Sequence, residues 1–124
     1  MNVKTDTKER FTVITPQEAG LSVNMTEELH NLLLPYLQKD IPHIVLNMEN
    51  VKTINEEATE QIAGIQQQFY AENASFVICC LQPEVEKVFA RQDFFDVMNT
   101  TPSESEAWDI VQMEEIEREL LGDD

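Results

Sequence analysis

Apolar positions along this chain change period several times, and each change marks an element. Residues 2–5 and 10–15 read as two short extended pieces around the polar turn Asp6-Thr7-Lys8. In the second, Phe11 and Val13 alternate with Thr12, which predicts a hairpin at a sheet edge. Beyond a loop over 16–23, Asn24 is placed to cap a helix. That helix carries Glu27 and Glu28 in its first turn and Met25, Leu29, Leu32, Leu33, Tyr36 and Leu37 on one stripe. Pro35 falls inside the stripe, where a proline removes a backbone donor and clashes with the preceding turn, so a kink or an early end is expected.

His43 opens an unbroken run to Met48, bounded by Pro42 and by Glu49-Asn50, as suits a strand covered on both faces. A loop over 49–54 leads to Asn55, an N-cap for a helix reaching about Ala71, with Ala58, Ile62, Ile65 and Phe69 at helical spacing. Residues 75–81 form a second buried run, and Pro83 stands where a helix begins, with Val85, Val88 and Phe89 as its inner face. A short strand over 97–99 precedes Ser103, whose spacing to Glu106 fits a capping box; Trp108, Val111, Ile116 and Leu120 then line a closing helix. Strands alternating with helices at this spacing imply crossover units. The fold class is therefore α/β: a four- to five-stranded mixed, mostly parallel sheet with an N-terminal edge hairpin and about four helices.

Composition narrows the function classes. A chain of 124 residues, 42% of them apolar, supports one modest core, so a single domain over 1–124 is expected. It carries 24 acidic against 8 basic residues, a formal charge of −16, which disfavours nucleic acid and anionic lipid as partners. The acidic surplus peaks over 103–124, where nine carboxylates face Arg118 alone. Such a run reads first as a solvated helix face and tail, and more sharply as an electrostatic lure for a basic partner. No stretch approaches the roughly 18 apolar residues of a membrane span, and the polar start lacks the apolar core of a signal peptide, so a cytoplasmic protein is expected.

Little chemistry is on offer. Cys79 and Cys80 are neighbours within an apolar run and read as core thiols, one pointing to each face of a strand. His30, on the polar side of the first helix, and His43, at a strand entrance, read as surface or half-buried and lack the companions of a metal site. Gly-rich phosphate loops and Gly-x-Ser-x-Gly elbows are absent, and the adjacent Glu56 and Glu57 point about 100° apart on a helix; neither enzyme nor cofactor is expected. A two-component receiver domain has similar length and alternation. Here, however, Asn47 stands where its phosphoacceptor Asp is needed, and no acidic pair follows the strand over 11–15 to hold Mg²⁺.

The segment His43-Ile-Val-Leu-Asn-Met-Glu-Asn-Val-Lys-Thr-Ile-Asn55-Glu-Glu-Ala58 resembles the central motif of the STAS family, named for sulphate transporters and anti-sigma factor antagonists. In that family a buried strand ends in a short loop, and Asp-Ser-Ser-Gly opens a helix. The stretch 76–95, with Gln82-Pro83 at its turn, is similar to the family's next strand, Ser/Asn-Pro-type turn and helix, and the similarity runs from about Arg10 to Val111.

The resemblance implies a function. Small stand-alone members are antagonists that bind an anti-sigma factor, usually a serine kinase. Phosphorylation of a serine at the helix start adds about −1.5 to −2 charges to the gripped surface. By position Asn55 matches the motif's Asp, Glu56 the first Ser, Glu57 the phosphoacceptor and Ala58 the Gly, so a permanent carboxylate replaces the switch and the usual serine phosphorylation is not expected. The family's Gly-Glu-Leu-Asp loop reads Glu18-Ala19-Gly20-Leu21 here. The implied docking surface comprises Val51, Thr53, Asn55, Glu56, Glu57, Ala58 and Glu60. Thr53, in the loop, and Thr59, expected to be exposed in the first turn, are the nearest other hydroxyls. A purely structural reading also fits Glu56 and Glu57, because first-turn carboxylates stabilise a helix by about 0.3–1 kcal/mol each. A different role for the module, as an assembly subunit of a larger signalling or transport complex, stays open, as does a homodimer.

Overall fold

The computed structural model describes residues 1–93 and 95–121. In chain order they form β1 (Val3–Thr7), β2 (Thr12–Pro16), β3 (Gly20–Leu21), α1 (Val23–Leu33), β4 (Ile44–Asn47), β5 (Thr53–Ile54), α2 (Glu56–Ala71), β6 (Phe76–Cys79), α3 (Pro83–Ala90), β7 (Thr100–Thr101) and α4 (Glu104–Leu121). Single 3₁₀ turns lie at Leu34–Gln38 and Phe95–Val97. The main sheet runs β1-β2-β4-β6-β7, antiparallel at the β1–β2 hairpin and parallel elsewhere. This is the mixed sheet with an edge hairpin and four helices that the alternating period predicts.

Topology decides which helix covers which face. From β2 onward each strand adds on the same side of the last, and right-handed crossovers then carry α1, α2 and α3 over one face. There they pack on Ile14, Ile44, Leu46, Phe76 and Ile78. The alternate residues, Val13, Val45, Val77 and Cys79, point the other way and are closed off by α4 through Ala107 and Val111. At the flank of that layer Phe11 stacks on Trp108, ring centroids 5.1 Å apart.

Several local expectations shift. The cap of α1 is Ser22, whose Oγ accepts the Met25 N–H at 3.4 Å, and Asn24 falls inside the helix. The α-helix stops at Leu33 and tightens into the 3₁₀ turn that holds Pro35, the early end that proline dictates, while Leu32 leaves the buried stripe. The last strand is Thr100–Thr101 rather than 97–99, because register with β6 sets Ile78 opposite Thr100. Ser103 caps α4, its Oγ accepting the Glu106 N–H at 3.3 Å. Ile116 and Leu120 do not line the inner face of α4: Ile116 stands about 140° round the helix from Val111, and both side chains face solvent. Cys79 is a core thiol, but Cys80 lies just past the strand with φ 64° and is half-exposed, so the pair does not straddle the sheet. Burial pushes the Cys79 thiol up from its ordinary pKa.

Carboxylates take the inward positions on the C-terminal half of α4. Glu114 accepts from the Tyr70 hydroxyl at 2.8 Å, the Ser75 hydroxyl at 2.6 Å and the Asn99 amide at 2.9 Å. Arg118 donates to Ser75 Oγ at 3.0 Å. His43 is buried beside them, which sequence reading did not anticipate: its Nδ1 accepts the Ser75 N–H at 2.9 Å and its Nε2 meets Glu115 at 3.2 Å. This network fastens α4 to the edge where the parallel strands begin.

Candidate functional site

The opposite edge, where β4 and β6 end, carries the motif residues. Asn47 closes β4 and is held on both sides: its Oδ1 accepts the Glu49 N–H at 2.9 Å and its Nδ2 donates to Glu104 at 3.0 Å. The chain then turns through Val51, whose N–H reaches Met48 O at 3.0 Å, into β5. Strand β5 pairs in parallel with β3, Gly20 against Thr53 and Leu21 against Ile54, and the Ala19 carbonyl accepts from both Lys52 and Thr53. The loop at 18–21 and the start of α2 are therefore neighbours. A Cβ at Gly20 would lie 2.9 Å from Thr53 Oγ1, so any larger residue there requires the exposed Thr53 side chain to shift. A shallow depression of about 380 Å³ lined by Gly20, Leu21, Ser22, Thr53, Ile54 and Asn55 lies between the two segments.

Asn55 caps α2 as its spacing predicts, with extended backbone (φ −95°, ψ 167°) and Oδ1 accepting the Ala58 N–H at 2.8 Å. Glu56 and Glu57 fill the first turn and are exposed. Glu56 pairs with Arg91, at the end of α3, at 3.4 Å. Among the described residues Glu57 has no hydrogen-bond or ion-pair partner and presents its carboxylate outward, on the same side as the exposed Glu60. Thr53 and Asn55 are exposed as well.

Three expectations do not hold as drawn. Val51 and Ala58 are fully buried, so their side chains support the surface from beneath and are not offered to a partner. Thr59 is fully buried too, its hydroxyl donating to Glu56 O at 2.7 Å, which removes it as an accessible hydroxyl. Arg91 is not legible as a site residue from local pattern, because its pairing with Glu56 joins elements far apart in the chain.

Gly64 extends the exposed face of α2 beyond Glu57 and Glu60, and a Cβ built there meets nothing within 4 Å. Gly64→Ala is accordingly expected to stabilise the fold by about 0.5–1 kcal/mol, since alanine removes backbone entropy from the unfolded chain. Urea denaturation checks this; a loss of stability would mean that the glycine relieves a contact or strain in the helix.

A family model of the STAS domain matches residues 2–107. The chain belongs to the STAS family. Solved structures agree on the STAS fold at low sequence identity. A Thermotoga maritima protein described as a candidate anti-sigma factor antagonist is 16% identical, with a TM-score of 0.79 over 89% of this chain and 94% of its own. A Moorella thermoacetica RsbS variant with a serine-to-glutamate substitution is 15% identical, TM-score 0.74, over 91% and 97%. The Bacillus anti-sigma factor antagonist SpoIIAA, in its unphosphorylated form, is 19% identical, TM-score 0.71, over 90% and 97%.

Proposed function

We propose that this STAS domain is a non-catalytic, cytoplasmic interaction module of the anti-sigma factor antagonist type. Its partner is a protein, an anti-sigma factor of the serine-kinase type, gripped at the start of α2. The docking surface comprises Thr53, Asn55, Glu56, Glu57 and Glu60, with Val51 and Ala58 as the buried floor beneath it. Glu57 supplies a fixed negative charge where relatives carry a modifiable serine, so serine phosphorylation does not switch this module.

The observation that carries the reading is the setting of Glu57: second residue of a capped helix, outside the sheet's C-terminal edge, exposed and free of partners among the described residues. Ligands of open α/β sheets commonly bind outside the carboxyl ends of the strands. A carboxylate imitates part of a phosphate's charge with two oxygens instead of three. The existence of a related RsbS variant in which glutamate replaces serine, with the same fold, is in keeping with such a substitution.

The test is capture of partners from the native organism with the full chain, followed by titration of the captured protein against Glu57→Lys and Glu57→Ser. Charge reversal is expected to weaken binding by about tenfold and serine by less, because rim charges act with modest energy. Unchanged binding in both variants would remove Glu57 from the account. Thermal unfolding keeps the readout clean: losing a first-turn carboxylate lowers helix stability by no more than about 1 kcal/mol.

A further inference from the structure

The outer face of α4 carries a feature that neither core nor motif uses. Of the six large apolar side chains left exposed among the described residues, the four most exposed, Met113 (59%), Ile116 (54%), Leu120 (79%) and Leu121 (87%), lie on its last three turns. Met113, Ile116 and Leu120 are three and four residues apart. They project within about 60° of one another, on the side of the helix away from Val111. That spacing is the a/d seam of a helix that pairs with another helix. It lies across the sheet from α2 and so is separate from the surface proposed above.

Charge decides the occupant. The seam is bordered by the exposed Glu106, Asp109, Glu117 and Glu119, and the only cation of α4, Arg118, is turned inward to Ser75. A second copy would set the same carboxylates against each other on two bodies that each carry −16. An amphipathic helix with basic flanks instead gains at both the seam and the rim. We infer that the outer face of α4 is a second docking surface, which takes a basic amphipathic helix of a partner protein through Met113, Ile116 and Leu120.

The probe is a synthetic helical peptide with leucine at a and d and lysine at e and g, titrated against the full chain by fluorescence anisotropy. Two control peptides keep its length: one replaces the lysines by glutamate, the other the leucines by serine. The receptor variant is the triple Met113→Gln, Ile116→Gln, Leu120→Gln, which retains every charge and uses a good helix former at exposed positions. The lysine–leucine peptide is expected to bind, to weaken with salt, and to lose about tenfold affinity on the triple variant, while both controls bind more weakly. Glu57→Lys leaves this binding unchanged, so failure here is distinct from failure at α2. Absence of binding, or binding that the triple variant retains in full, overturns the inference. So does a dimer seen by sedimentation that the triple variant abolishes, since the seam would then serve a second copy.

Discussion

Replacing Glu114 by alanine lowers the unfolding free energy by about 3 kcal/mol, because three donors behind α4 lose their acceptor at once. The Tyr70 hydroxyl, the Ser75 hydroxyl and the Asn99 amide all converge on this carboxylate within 2.9 Å. Each orphaned donor costs about 1 kcal/mol or more. The lower end applies here, since Glu114 is only half-buried and water enters part of the space. Glu114→Gln keeps one accepting oxygen but turns an amide N–H toward groups that donate, so an intermediate loss of about 1–2 kcal/mol is expected. Burial and then the bond to Glu114 push the Tyr70 phenol above its ordinary pKa, which keeps it a donor throughout the physiological range. Urea denaturation of the two variants provides the measurement. A loss below about 1 kcal/mol for alanine would show that water substitutes for the carboxylate and that apolar contacts alone hold α4.

What could be read from sequence was what local chemistry determines. The buried runs of β4 and β6, the asparagine cap of α2 and the proline start of α3 each depend on residues within a few positions, and the structure has all four. The inner face of α4 was illegible for a physical reason: its apolar residues and its carboxylates both recur at helical spacing, and the usual assumption turns the apolar set inward. The reverse holds in the last turns, because Tyr70, Ser75 and Asn99 reach across from other elements to satisfy Glu114. The same limit applies at the candidate site. The cap role of Asn55 and the first-turn position of Glu57 follow from local spacing, whereas the burial of Val51, Ala58 and Thr59 and the pairing of Arg91 with Glu56 depend on contacts between distant segments.

His43 is expected to contribute a loss of stability as pH drops below about 6.5, with a slope of up to about 1.4 kcal/mol per pH unit. Burial holds the imidazole below its ordinary pKa; Glu115 opposes this and Arg118 adds to it. Geometry gives the same direction. Nδ1 accepts the Ser75 N–H at 2.9 Å, so it is the unprotonated nitrogen, and Nε2 carries the proton toward Glu115. A second proton would face a backbone N–H and break that bond. Near pH 6.5 and below, the unfolded chain therefore binds a proton that the folded chain refuses. The contribution is fully present above the unfolded pKa and is lost as pH falls beneath it. Acidification also protonates some of the 24 carboxylates and relieves their mutual repulsion, which acts in the opposite sense. The comparison that isolates His43 is His43→Asn, whose Oδ1 can take over the role of Nδ1 without titrating. Denaturation of both proteins between about pH 7.5 and 5 should show wild type losing its advantage over the variant as pH falls. Parallel curves would mean that His43 stays neutral in both states or charges equally in both, and that its bond to Ser75 does not govern its titration.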